Sequence, residues 1–89
     1  MVRKAIRVYG RVQGVSYRYS TEKKAIDLGL VGFVKNIDDG SVYIEAQGEV
    51  SKVSELIDWC HDGPPIARVR EVKVEECTLK EEPNFKTAY

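Results

Sequence analysis

The chain has 89 residues and a mass of 10.1 kDa, with 43% hydrophobic residues, 31% charged residues and a formal net charge of zero. That is enough for a single domain over residues 1–89 and leaves no room for a second core. Its apolar runs are too short for a spanning helix, and Met1 leads straight into Val2-Arg3-Lys4 with no signal core, so a cytoplasmic protein without membrane contact is expected. The charge is uneven, however. Residues 1–36 carry eight Lys/Arg against Glu22 and Asp27, a surplus of six positive charges that the remainder balances. A positive half attracts small anions. Long nucleic acid usually takes a larger basic excess, so no nucleic-acid partner is expected.

Taken in order, Arg3 to Gly10 alternates, with Ala5, Arg7 and Tyr9 on one face and Lys4, Ile6 and Val8 on the other, which predicts a strand. Tyr19 to Leu28 contains no Gly or Pro and sets Tyr19, Glu22/Lys23, Ile26 and Leu30 at helical spacing, with Gly29 as the stop. Leu30–Ile37 and Ser41–Gln47 read as two strands, and Asp38-Asp39-Gly40 between them supplies the Asp-Gly of a tight hairpin. Glu49–His61 places Val50, Val53, Leu56, Ile57 and Cys60 on one stripe of a second helix, which Asp62-Gly63-Pro64-Pro65 ends. Ala67–Glu76 alternates as a fourth strand. A turn over 80–83 precedes a short last strand over 84–89.

The order β-α-β-β-α-β with a short terminal strand is that of an α+β sandwich. Two split βαβ units with right-handed crossovers predict an antiparallel sheet with both helices on one face. The expected core is Ile6, Val8, Ile26, Val34, Val42, Ile44, Val53, Leu56, Ile57, Val72 and Val74. The first strand should lie inside the sheet, with its end beside the strand-two/strand-three hairpin.

Between the first strand and the first helix runs Gly10-Arg11-Val12-Gln13-Gly14-Val15-Ser16-Tyr17-Arg18. Two glycines allow sharp turns and leave backbone N–H groups uncovered, and N–H groups at a helix N-terminus make an anion site. Arg18 adds a planar fork that matches two phosphate oxygens. A cation at that end of a helix opposes the helix dipole, a conflict that a bound anion removes. The segment reads as an oxyanion cradle for a phosphoryl group.

Other phosphate motifs fail on spacing. Three residues separate Gly10 from Gly14 and Val15-Ser16 follows, so this is no P-loop, and Gly10-Arg11-Val12 lacks the second glycine of a dinucleotide fingerprint. The loop holds no cysteine nucleophile; Cys60 belongs to the core stripe, and Cys60 and Cys77 are expected as reduced thiols. The one histidine, His61, falls at a helix C-terminus as a surface or capping residue, and Asp38 and Asp39 beside Gly40 suit a turn better than a cation. No metal site is expected. The remaining polar candidate is Asn36 at the end of the second strand, whose amide can donate and accept and so hold a water in one orientation. A site without metal or strong acid suits an easy leaving group. An acyl phosphate departs as a carboxylate whose conjugate acid has a pKa near ~4–5, by analogy with side-chain carboxyls.

Four segments, Gly10–Arg18, Gly29–Asn36 (Gly-Leu-Val-Gly-Phe-Val-Lys-Asn), Asp39–Val42 and Gly63–Val69 (Gly-Pro-Pro-Ile-Ala-Arg-Val), closely resemble the acylphosphatase family. The resemblance covers almost the whole chain. It implies a ferredoxin-like fold and hydrolysis of acyl phosphates to carboxylate and phosphate without cofactor or metal. By the family's pattern, Arg18 binds the phosphoryl group together with the N–H groups of the 11–17 loop (Arg11, Val12, Gln13, Gly14, Val15, Ser16 and Tyr17), and Asn36 orients the attacking water. Ser16 stands where the family most often has glycine, and 85–89 matches the usual end only loosely. The expected partners are small acyl phosphates and phosphate, with a monomer as the default state. Two other readings stand beside this one: a phosphate-binding module without turnover, and a small RNA-binding domain using Tyr9, Phe33 and Tyr43 on the open sheet face.

Overall fold

The computed structural model describes residues 1–89. Strand β1 (Val2–Arg11), helix α1 (Tyr17–Asp27), strands β2 (Val31–Asn36) and β3 (Val42–Gly48), helix α2 (Val50–Cys60), and strands β4 (Arg68–Glu76) and β5 (Phe85–Thr87) follow in chain order. They form one sheet with the order β4-β1-β3-β2-β5, covered on one face by the two helices in a ferredoxin-like sandwich. β1 is interior, antiparallel to both β3 and β4.

The sheet is mixed, not wholly antiparallel, because β5 pairs parallel with β2. β4 runs opposite to β1 and β2. A chain that turns back after β4 and lands on the far edge must therefore run parallel to β2. The last strand is also shorter than the expected 84–89, spanning Phe85–Thr87 only.

Packing confirms seven of the expected core residues as fully buried, Ile6, Val8, Val34, Val42, Ile44, Val53 and Leu56. Ile57 and Val72 pack at the margin of the core. Two expectations fail. Ile26 is 56% exposed and Val74 is 41% exposed. Helix α1 is rotated from the stripe read in the sequence and starts two residues earlier, burying Tyr17, Thr21 and Ala25. Small Ala25 lets the helix approach the sheet closely, and the Thr21 hydroxyl donates to the Tyr17 carbonyl at 2.8 Å, so it can be buried satisfied. Val74 faces the helix layer from edge strand β4, beyond the cover of the helices.

The β2–β3 connection is a three-residue loop, Asp38-Asp39-Gly40, closed by Ile37 N–H to the Ser41 carbonyl at 2.9 Å and Gly40 N–H to the Ile37 carbonyl at 3.0 Å. Asp39 accepts from the Ser41 N–H at 2.9 Å and the Ser41 hydroxyl at 2.6 Å, so it serves the turn. These bonds hold its carboxyl below the usual range. His61 caps α2 with its ring Nδ1 3.0 Å from the Ile57 carbonyl, and both cysteines are free thiols.

On the open sheet face, the crossover over 77–84 is pinned by a polar group. Buried Arg3 donates to Glu45 at 2.8 Å and Gln47 at 3.1 Å and pairs with Glu82. Gln47 in turn bonds the backbone of Lys80 twice, accepting at 2.9 Å and donating at 2.7 Å. That link holds β5 in place beside β2.

Candidate active site

The cradle is shaped by what its side chains do elsewhere. Val12 and Val15 are buried in the core, and Tyr17 reaches through it to donate to the Cys60 carbonyl at 2.6 Å, its ring tilted by 50° to that of Trp59 at a centroid distance of 5.5 Å. Burial pushes the Tyr17 hydroxyl's pKa far upward, so it is a neutral anchor. Burial likewise pushes the Cys60 thiol up to about 12, which leaves it inert as a nucleophile. Gln13 turns away from the cradle and donates to the carbonyls of Ile37 at 2.8 Å and Ser41 at 2.9 Å. The loop is thus tied to the mouth of the β2–β3 hairpin, as the sequence predicts for the end of β1.

With these side chains engaged, the loop presents its backbone. None of the N–H groups from Val12 to Tyr19 donates to a backbone oxygen. Gly14 has φ +73 and no atom near its missing Cβ, while Ser16 caps α1 at φ 65 and ψ 22. Left-handed residues at Gly14 and Ser16 turn the loop sharply on either side of Val15, the kind of bend from which backbone N–H groups can converge on an anion. Ser16 is the one non-glycine residue at positive φ in the chain. Serine itself has no preference for that conformation, and the mark the sequence carries is the resemblance to a family that most often has glycine there.

A cavity of about 420 Å³ lies against the loop and is lined by Val12, Gly14, Ser16, Tyr17, Arg18 and Asn36, with Tyr19, Glu22 and residues 86, 87 and 89 on its other walls. Arg18 has no carboxylate partner. Its guanidinium donates to the Ala88 carbonyl at 3.3 Å and lies 4.7 Å from the Tyr89 ring centroid. One nitrogen and one face are used for orientation, and the rest of the fork is free. Asn36 closes β2 on the helix side of the sheet, in step with Val34, because residues two apart share a face. Its Oδ1 is buried and accepts no hydrogen bond from the protein.

Arg18 and Asn36, singled out in the sequence, therefore line one cavity with Val12, Gly14, Ser16 and Tyr17. Three loop residues behave differently. Gln13 and Val15 shape the loop from behind, and Arg11 ends β1 in a neighbouring cavity beside Arg68. The C-terminal wall was missed by the sequence reading. Its contact with Arg18 depends on the parallel pairing of β5, which no local pattern signals. No three His, Cys, Asp or Glu side chains converge anywhere in the fold.

Comparison with known proteins shows the family and the fold. The acylphosphatase family profile matches residues 4–87. An acylphosphatase from Acaryochloris marina (strain MBIC 11017) is 53% identical over 74 residues, covering 83% of this chain and 80% of its own. One from Thermococcus kodakarensis is 48% identical over 73 residues, covering 82% of this chain and 80% of its own. The crystal structure of acylphosphatase from Bacillus subtilis superposes with a TM-score of 0.97 at 36% identity, covering 100% of both chains. Over nearly its whole length, this chain belongs to the acylphosphatase family of hydrolases.

Proposed function

We propose that this enzyme hydrolyses acyl phosphates by direct attack of a water held by Asn36 on a phosphoryl group held by Arg18 and the N–H groups of the 12–17 loop. The observation that carries the reading is the buried, unpartnered Oδ1 of Asn36 on the cavity that Arg18 also lines. An acceptor left without a partner costs about 1–3 kcal/mol of desolvation, which a donor arriving with the substrate recovers. A water that donates one hydrogen to Oδ1 is fixed in orientation and keeps a lone pair for phosphorus.

The water oxygen bonds to phosphorus as the bond from phosphorus to the acyl oxygen breaks. The electron pair of the broken bond leaves with the carboxylate. Both water protons finish on the phosphate, giving carboxylate and dihydrogen phosphate. Charge on the equatorial oxygens meets the loop N–H groups and the Arg18 fork, which are in place before the reaction begins. A carboxylate leaving group needs no acid, which fits a wall whose one carboxyl, Glu22, is turned to Thr87 at 3.4 Å.

The test is hydrolysis of benzoyl phosphate in the presence of a chelator. Arg18→Gln is expected to weaken phosphate inhibition and lower kcat/KM by about 10²–10³, as for loss of one preorganised donor to transition-state charge. Asn36→Ala is expected to lower kcat at least about a hundredfold while inorganic phosphate still binds within about twofold. Full activity in a folded Asn36→Ala variant would remove the water-holding role. Phosphate binding without turnover in the unaltered protein would leave a binding module.

A further inference from the structure

We propose that Arg11 and Arg68 form a second anion subsite, so that the preferred substrates are acyl phosphates whose acyl group carries its own negative charge. The proposal rests on the hydrolytic reading above and names a substrate class for it. Arg11 and Arg68 sit directly opposite each other across the β1–β4 ladder. Like charges in that arrangement repel. Neither has a carboxylate within ion-pair distance, although other cations of the sheet, Arg3, Lys4, Arg7 and Lys73, do.

The backbone is bent to place them so. Between Tyr9 and Gly10 the β1–β4 register shifts, Tyr9 facing Glu71 and Gly10 facing Val69, which leaves Arg70 as an extra residue of β4. Without that bulge, alternation would turn Val69 to the open face and Arg68 to the helix side. With it, Val69 packs against the core and Arg68 joins Arg11. The bulge depends on Gly10, at φ +130, where a Cβ would lie 2.2 Å from the Arg68 carbonyl oxygen. The Arg68 guanidinium is held by the carbonyls of Ala67 at 3.1 Å and Pro65 at 3.4 Å through one nitrogen, so its other donors stay free.

The two arginines open onto a cavity of about 370 Å³ that also includes Gly14, Val15, Pro65 and Ile66. Ile66 is 63% exposed, an apolar surface beside two unpaired cations. Gly14 lines both this cavity and the cradle, and nothing stands within 4 Å of where its side chain would be. A substrate with its phosphoryl group in the cradle can therefore pass its acyl group over Gly14, along Ile66, and end with an anion between the guanidinium groups. Two charge-assisted contacts suit a carboxylate or a phosphate equally.

Benzoyl phosphate and its 3- and 4-carboxylate derivatives share one leaving-group chemistry and differ in the second anion. The better of the two carboxylates is expected to exceed benzoyl phosphate about tenfold in kcat/KM at low salt, with the ratio shrinking as ionic strength rises. Arg68→Gln should bring that ratio down about five- to tenfold, whereas Arg70→Gln, equal in charge but outside the cavity, should leave it within about twofold. The same comparison made by binding of benzoylphosphonate and its carboxylate derivatives, which are not hydrolysed, separates the subsite from the chemistry. A binding preference that disappears in Arg68→Gln supports the subsite even if turnover fails, and turnover failure then overturns the hydrolytic reading alone. No preference in the unaltered protein, or an equal loss in Arg70→Gln, overturns the subsite and leaves only a diffuse positive field.

Discussion

Two residues of the cradle separate what a side chain does from what its backbone does. Ser16 holds φ 65, where an L residue is strained by about 1–2 kcal/mol, and its exposed side chain makes no hydrogen bond that offsets this. Glycine removes the strain but adds unfolded-state entropy of about 0.5–1 kcal/mol. Ser16→Gly is therefore expected to raise stability by about 0.5 kcal/mol, or roughly 2–4 °C in Tm for a domain of this size. A lower Tm in a calorimetric scan would mean that the serine side chain supports the loop after all. Tyr17 makes the opposite case. Its hydroxyl serves the buried Cys60 carbonyl at 2.6 Å, on the far side from the cradle. Tyr17→Phe should cost about 1–2 kcal/mol in urea unfolding through the orphaned carbonyl, while kcat stays within about twofold. A large fall in kcat at unchanged stability would place the Tyr17 hydroxyl in the chemistry instead.

At the scale of elements, the site exists because a loop, a hairpin and a terminal strand are fastened together. Gln13 makes the first fastening with its two bonds to the hairpin carbonyls. Removing it frees the cradle from the end of β2, where Asn36 stands. Gln13→Ala is expected to cost about 1 kcal/mol of stability and to weaken inhibition by inorganic phosphate about fivefold. Phosphate inhibition that is unchanged in a measurably destabilised variant would show the cradle to be rigid without the clamp. The helix that follows illustrates why element phase was harder to read than element order. Large apolar Ile26 suggests a buried stripe, yet close packing of α1 on the sheet selects Thr21 and Ala25, whose small volume the sequence does not advertise.

For the whole molecule, the crossover from β4 to β5 depends on charges buried beneath it. Burial alone would raise the Glu45 carboxyl, but hydrogen bonds from Tyr43 and Arg3, with the charges of Arg3 and Lys80, outweigh it and hold the pKa below the ordinary 4.5. A depressed carboxyl adds stability that is complete above its unfolded value and is lost as pH falls through its folded one. The urea midpoint of the native sequence should thus fall as pH drops below about 4.5, and Glu45→Gln should show a shallower fall over the same range. Parallel curves for the two proteins would assign acid sensitivity elsewhere. Loss of this anchor also reaches the site, because β5 carries the segment that orients Arg18. Sequence alone determined the order of elements and the place of the loop between β1 and α1, and it singled out Arg18 and Asn36 as candidates, since alternation, glycine placement and donor chemistry are local properties of the chain. That the two line one cavity was decided by the fold. Tertiary structure alone decided the parallel edge strand, the rotation of α1, the bulge that aligns Arg11 with Arg68, and the C-terminal wall behind Arg18. Each of these is settled by contacts between residues far apart in sequence, whose energies no local pattern contains.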